Sequence, residues 1–133
     1  MTGDAMAVDL TMPVLVVDDF PTTIRIISKF LRQLGFTNID AASDGGQAFE
    51  LMNQRDYGLV ISDWNMEPVT GLDLVKAVRS HEKLNDTPFI MVTAESKPEN
   101  VILAKLAGVN SYIVKPFNAD TLRMKLTGVL GKF

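Results

Sequence analysis

Pro13-Val14-Leu15-Val16-Val17-Asp18-Asp19-Phe20 is the stretch from which the rest of the chain can be read. Four apolar side chains in a row, without alternation, mark a strand buried on both faces, the habit of parallel sheets covered by helices. The run closes on two adjacent carboxylates. Pro21 then opens a segment in which Ile24, Ile27, Leu31 and Leu34 recur at helical spacing, and Gly35 stands where such a helix stops. The same order of events repeats. Residues 39–42 form a weaker strand, followed by a helix marked by Ala48, Leu51, Met52 and Arg55. Leu59-Val60-Ile61 runs up to Asp63, and Gly71 precedes a helix marked by Leu72, Val75, Val78 and Arg79. Residues 89–92, introduced by Pro88, lead to Thr93. Pro98 opens a helix whose body holds Val101, Ala104 and Lys105 and which ends at Gly108. Residues 111–114 are a fifth strand reaching Lys115-Pro116, and residues 119–130 a last helix.

Five strand–helix units predict an α/β fold with a doubly wound five-stranded parallel sheet in a single domain. Periodicity alone leaves the strand order open. At 133 residues and 47% hydrophobic content the chain has enough apolar surface for one core. Thirteen Lys and Arg against 16 Asp and Glu give a formal charge of −3, which excludes a strongly basic nucleic-acid binder, so no DNA partner is expected. The absence of Cys removes disulfides, thiolate zinc sites and cysteine nucleophiles, and the single His81 leaves no basis for a histidine metal site. Residues 1–12 carry two Asp and no Lys or Arg, unlike a signal peptide. The longest apolar run falls far short of the ~20 residues of a membrane span. A cytoplasmic protein without membrane insertion is expected, with residues 1–12 a flexible extension and 13–133 the domain.

In such sheets ligands sit at the carboxyl ends of the strands. Asp18 and Asp19, Asp63, Thr93 and Lys115 stand at those ends. A lone Asp after a strand ordinarily caps a helix or forms a turn, but this fold would gather three. Two unit charges ~4 Å apart repel by about 4 kcal/mol at an effective dielectric of ~20. A divalent cation removes that cost, and hard oxygen ligands suit Mg²⁺. A carboxylate at the centre can act as a nucleophile and form an aspartyl phosphate. Phosphoryl transfer then needs in-line positioning and neutralised oxygens, which Mg²⁺, a Lys ammonium and a Thr hydroxyl supply.

Four segments in order carry a resemblance: Val16-Val17-Asp18-Asp19-Phe20, Ile61-Ser62-Asp63-Trp64-Asn65-Met66, Met91-Val92-Thr93-Ala94-Glu95 and Tyr112-Ile113-Val114-Lys115-Pro116-Phe117. The chain resembles the receiver domains of two-component response regulators, and among them the CheY-like chemotaxis regulators, from about Pro13 to its end. The resemblance implies the strand order 2-1-3-4-5. It implies Asp63 as phosphoacceptor, phosphorylated by a histidine kinase, with Asp18, Asp19, Asp63 and the Asn65 backbone carbonyl holding Mg²⁺. It implies that Lys115 pairs with the acidic site and that the Lys115–Pro116 bond is cis, which proline makes inexpensive. Thr93 and Tyr112 match a switch pair, the hydroxyl moving toward the phosphoryl group and the ring turning inward behind it. The receiving surface would be the fourth helix, fifth strand and fifth helix, with Lys97, Tyr112 and Lys125. Taken singly, Lys97 and Lys125 read as solvated charges, and they are carried as partner contacts. Glu95 matches a position that influences phosphoryl lifetime. Glu67 departs from the pattern, since family members usually carry Pro there and this chain has Pro68 one place later. Glu67 is expected to add negative charge near the metal or Lys115 and to alter Mg²⁺ affinity.

Two rivals fit less well. A haloacid-dehalogenase-type phosphatase also uses an aspartyl phosphate, but its first strand leads to Asp-x-Asp, whereas Asp18 and Asp19 are adjacent. A flavodoxin needs a Ser/Thr/Gly phosphate loop after the first strand, where two carboxylates would repel the cofactor. The expectation is therefore a signalling phosphoprotein rather than a turnover enzyme. Without a fused output domain it would act as a free monomer by binding another protein. The flagellar motor switch is the first partner in view, and a stand-alone phosphate sink in another phosphorelay the alternative.

Overall fold

The computed structural model of the chain describes residues 8–131. Strands β1 (Val14–Val17), β2 (Ile39–Ala42), β3 (Leu59–Ser62), β4 (Phe89–Thr93) and β5 (Ser111–Val114) alternate with five helices. These are α1 (Pro21–Gln33), α2 (Gly45–Gln54), α3 (Gly71–Ser80), α4 (Pro98–Ala107) and α5 (Ala119–Leu130). Every strand pairing is parallel, and the order across the sheet is β2-β1-β3-β4-β5. The order implied by the resemblance is the order observed.

Burial explains the strand patterns. β1, β3 and β4 lie inside the sheet and are buried at every residue, which is why their sequences are unbroken apolar runs. β2 and β5 are the edges and carry exposed positions, so their signal is weaker. Alternate residues feed two cores. Leu15, Val17, Val60, Phe89 and Met91 point toward Ala48 and Met52 of α2, Leu74, Val75 and Val78 of α3 and Ala104 of α4. Val14, Val16, Leu59, Ile61, Ile90 and Ile113 meet Ile27 and Leu31 of α1 and Leu122 and Leu126 of α5.

Local chemistry starts and stops the helices. α1 and α4 begin on Pro21 and Pro98, whose missing N–H costs nothing in a first turn. The Asp44 carboxylate accepts from the Gly46 and Gln47 amides at α2, and Asn118 from Thr121 at α5. Thr70 and Asp73 form a reciprocal capping box at α3. Gly35 and Gly108 follow α1 and α4 with φ of 108° and 113°, a left-handed turn that costs glycine no Cβ clash.

Two features go beyond the sequence reading. Of the twelve residues expected to form a flexible extension, Val8, Leu10 and Met12 pack on the α1/α5 core, and the Thr37 amide donates to the Leu10 carbonyl at 3.3 Å. They pack because Gly35 and Gly58 leave room for the Leu10 and Met12 side chains, which a Cβ at either position would meet at 2.9 and 2.5 Å. The first seven residues of that extension lie outside the described residues. Arg79, read only as part of a helical stripe, donates to the carbonyls of Gly108 (3.0 Å), Asn85 (2.9 Å) and Thr87 (2.7 Å) and to Asn110 Oδ1 (2.9 Å). It fastens the end of α3 to the turns that precede β4 and β5.

Candidate functional site

Parallel strands stop together at one edge of the sheet, so the residues after them are neighbours. Asp18 and Asp19 follow β1, Asp63 follows β3, Thr93 ends β4 and Lys115 follows β5. Main-chain bonds hold these ends in step: the Asp63 amide donates to Val17 O at 3.0 Å and the Lys115 amide to Thr93 O at 2.9 Å. One carboxylate oxygen from each of Asp18, Asp19 and Asp63 lies within 4.8 Å of the others. Asp18 and Asp63 are buried and Asp19 is exposed. Lys115 Nζ bridges the two buried ones, 3.1 Å from Asp18 Oδ2 and 3.2 Å from Asp63 Oδ2.

The second oxygen of each buried carboxylate is held by the backbone. The Phe20 amide donates to Asp18 Oδ1 at 2.9 Å. Asp63 Oδ1 accepts from the Trp64 amide at 2.6 Å and, at 3.4 Å, from that of Asn65. Burial pushes the Asp18 carboxyl above its ordinary range, against the Phe20 amide and the Lys115 ammonium that favour its charge. Burial also works against the Lys115 ammonium, but its bond to Asp18 and the charges of Asp63 and Asp18 outweigh it, and its pKa is raised. Three carboxylates against one ammonium leave the cluster with a surplus of negative charge.

A cleft of about 350 Å³ opens beside this cluster, lined by Asp19, Asn65, Met66, Glu67 and Thr70. Glu67 therefore shares a cavity with Asp19, and it is exposed. The donors are hard oxygens in a solvent-accessible cleft, so they fit a magnesium ion that keeps several of its waters.

A hydrogen-bonded chain extends from the cluster toward α4. Thr93 is fully buried, and its hydroxyl accepts from the Glu95 amide at 3.3 Å. The Tyr112 ring is 8% exposed, and its hydroxyl donates to the Glu95 carbonyl at 2.7 Å. Burial raises the Tyr112 pKa, assisted by the charges of Glu95 and Asp63. Asn100 of α4 donates to Glu95 Oε1 at 2.9 Å.

The residues singled out in the sequence thus fall into groups. Asp18, Asp19, Asp63 and Lys115 converge, Thr93, Glu95 and Tyr112 form one bonded chain, and Asn65 and Glu67 line the cleft. Lys97 sits at the N-cap of α4 without a capping bond and is exposed, and Lys125 is half-buried on α5. Lys115–Pro116 is cis, as the resemblance implies, and Glu67–Pro68 is cis as well. Asn100 and Gly71, which touch this region, have no sequence signal of their own beyond a polar residue in a first turn and a glycine at a helix start.

The charge surplus has a measurable consequence. Sequence alone treats Asp18 and Asp19 alike, but only Asp18 bears the desolvation. Asp18→Asn, which keeps an oxygen for the Phe20 amide, is expected to raise the melting temperature in EDTA by about 4 °C, or ~1 kcal/mol, while weakening Mg²⁺ binding. The sign follows from the raised folded-state pKa. Protonated Asp18 favours the native state, so stability falls as pH rises from the unfolded value through the folded one. The advantage of the variant is thus present at neutral pH and disappears below the carboxylate range. Melting curves at pH 7 and pH 3.5 measure both. A lower melting temperature at pH 7 would mean that Lys115 more than compensates the buried charge.

Comparison with known proteins agrees with this geometry. The response regulator receiver domain family matches residues 14–127. The chain is 48% identical over 115 residues to the chemotaxis protein CheY of Pseudomonas aeruginosa, covering 86% of this chain and 93% of that protein. Among solved structures, CheY4 of Vibrio cholerae superposes with a TM-score of 0.83 at 36% identity, over 90% of this chain and 99% of that one. The receiver domain of a sensor histidine kinase from Pseudomonas aeruginosa, described with a magnesium ion coordinated in its active-site cleft, gives a TM-score of 0.82 at 26% identity. That match covers 92% of this chain and 99% of that domain.

Proposed function

This chain belongs to the response regulator receiver domain family, and we propose that it is a chemotaxis switch whose Asp63 accepts a phosphoryl group from a histidine kinase. One observation carries the reading: three carboxylates gathered within 4.8 Å, two of them buried and bridged by one lysine. No stability argument calls for such a cluster, whereas phosphoryl chemistry does. Asp18, Asp19, Asp63 and the Asn65 carbonyl would hold a magnesium ion, which when bound supplies positive charge to the phosphoryl oxygens.

The chain's own residues do the rest. An Asp63 carboxylate oxygen forms a bond to phosphorus as the bond from phosphorus to the donor's histidine nitrogen breaks. The Trp64 amide fixes the orientation of the Asp63 carboxylate by holding Oδ1. Lys115, already 3.2 Å from Asp63, stays to neutralise the incoming oxygens once Asp63 is esterified. The Thr93 hydroxyl leaves its place under the Glu95 amide to donate to the new group. That shift moves the Glu95 carbonyl, which holds Tyr112.

The output face lies beyond Tyr112. α4 exposes Ile102, Leu103 and Leu106, the last 81% exposed, and Val114 of β5 and Met124 of α5 are exposed too. Single exposed apolar residues need no explanation, but a set spread over adjoining elements marks an interaction surface. In this reading Lys97 and Lys125 supply its charged contacts. The partner in this reading is a flagellar motor switch protein in the cytoplasm, which the chemotaxis relatives support.

Beryllofluoride, which mimics the acyl phosphate, provides the test. With Mg²⁺ and beryllofluoride the chain is expected to bind a motor switch protein at least about tenfold more tightly than without, ~1.4 kcal/mol. Equal binding in both states, with the chain still draining phosphoryl groups from a kinase, would replace the motor reading with that of a phosphate sink.

A further inference from the structure

Glu95 has three attachments. Its amide donates to the Thr93 hydroxyl, its carbonyl accepts from the Tyr112 hydroxyl, and its carboxylate accepts from Asn100 Nδ2. The first two belong to the switch described above. The third belongs to none of that chemistry, yet it is the only side-chain tie described between this loop and α4. Asn100 is the third residue of α4, and its own amide closes the first turn on Lys97 O at 3.0 Å.

We propose that Asn100 is a positioning residue, which latches the Glu95 carboxylate to the first turn of α4 and so keeps the Glu95 carbonyl aimed at the Tyr112 hydroxyl. The inference rests on the phosphorylation reading only for its purpose, since the latch is present without a phosphoryl group.

The chemistry favours a real restraint. The bond is 2.9 Å, half-buried, and its acceptor is a carboxylate, so it belongs to the charge-assisted class. α4 needs such a tie. It buries only Ala104 fully, whereas α3 buries Gly71, Leu74, Val75 and Val78. A weakly packed helix has freedom to shift, and a hydrogen bond from its first turn to the switch loop converts that freedom into a coupled motion. When Thr93 releases the Glu95 amide, Asn100 carries the displacement to the helix bearing Ile102, Leu103 and Leu106. The latch also ties the Glu95 charge to the first turn of α4.

The test reads the ring directly. The chain has two tyrosines, and Tyr57 bonds to Asp40 far along the sequence from this loop, so it serves as an internal control. Fluorotyrosine NMR of the unphosphorylated chain is expected to show the exposed Tyr112 population rising about fivefold in Asn100→Ala, the loss of one modest hydrogen bond. In Asn100→Asp, which sets two carboxylates face to face, the rise is larger. The Tyr57 signal stays in place. Because Asn100 acts through the Glu95 side chain, the double variant Glu95→Ala/Asn100→Ala should match Glu95→Ala alone. An unmoved Tyr112 signal in Asn100→Ala, or additive effects in the double variant, overturns the latch. Both readouts need no phosphodonor, so they stand or fall separately from the assignment of Asp63.

Discussion

Asp63→Asn is expected to abolish labelling by acetyl phosphate, cutting incorporation by at least about a hundredfold, ~2.7 kcal/mol of barrier or more. The substitution changes little else. An amide oxygen still accepts from the Trp64 amide, now 2.6 Å from Oδ1, and the side-chain volume is almost unchanged. Lys115 keeps its bond to Asp18 at 3.1 Å. What disappears is the anionic oxygen able to attack phosphorus and to leave again on hydrolysis. Mass spectrometry after brief incubation with acetyl phosphate and Mg²⁺ reads the result, and a thermal melt confirms that the variant is folded. Labelling at the wild-type rate would move the acceptor to Asp18 or Asp19. Asp19 is exposed, and Asp18 is held at both oxygens by Phe20 and Lys115, as Asp63 is by Trp64 and Lys115. Asp63 follows β3, the central strand of the sheet, and so lies between the carboxylates after β1 and Thr93 at the end of β4.

The parts of this protein legible from its sequence are those governed by short-range rules. Unbroken apolar runs identified β1, β3 and β4 because those strands are covered on both faces. Proline and glycine bounded α4, whose apolar pattern is of little help since Ile102, Leu103 and Leu106 face away from the core. The strand-end rule alone brings Asp18, Asp19, Asp63, Thr93 and Lys115 together.

Long-range contacts were illegible. The bonds from Arg79 to Gly108 and Asn110 span 29 and 31 residues, and nothing in a helical stripe announces them. Asp18 and Asp19 look equivalent on paper. In the fold one faces the cluster's interior and the other the solvent, because successive residues leave a strand on opposite sides. The packing of residues 8–12 depends on the bare faces of Gly35 and Gly58, which only the folded chain brings near them.

Gly71→Ala carries the largest expected cost to stability and tests how firmly Asp63 is placed. Gly71 is the first residue of α3, and its amide donates to Trp64 O at 2.9 Å. A Cβ built there overlaps the Asp63 carbonyl oxygen and comes 3.1 Å from Met91 Sδ. The carbonyl has nowhere to go. It already accepts from the Ser62 hydroxyl at 2.8 Å, and the Asp63 amide is tied to β1 at Val17. Either the Asp63 loop is pushed off the sheet or the first turn of α3 lifts, against the Thr70–Asp73 capping box. Overpacking ordinarily costs ~1–3 kcal/mol, and an overlap with pinned backbone belongs at the top of that range. The expected loss is about 3 kcal/mol, a drop in melting temperature of roughly 12 °C for a domain of this size. Labelling by acetyl phosphate should fall by more than about tenfold, since misplacing a reacting group by ~1 Å can cost a hundredfold. Gly128→Ala supplies the opposite sign. A Cβ there meets nothing within 4 Å, and the position lies inside α5, so the same substitution should stabilise by about 0.5–1 kcal/mol. If Gly71→Ala melted within about 2 °C of the wild type and labelled normally, the Asp63 carbonyl would have to be free to move. The close packing of α3 against the acceptor loop would then have no part in holding the nucleophile.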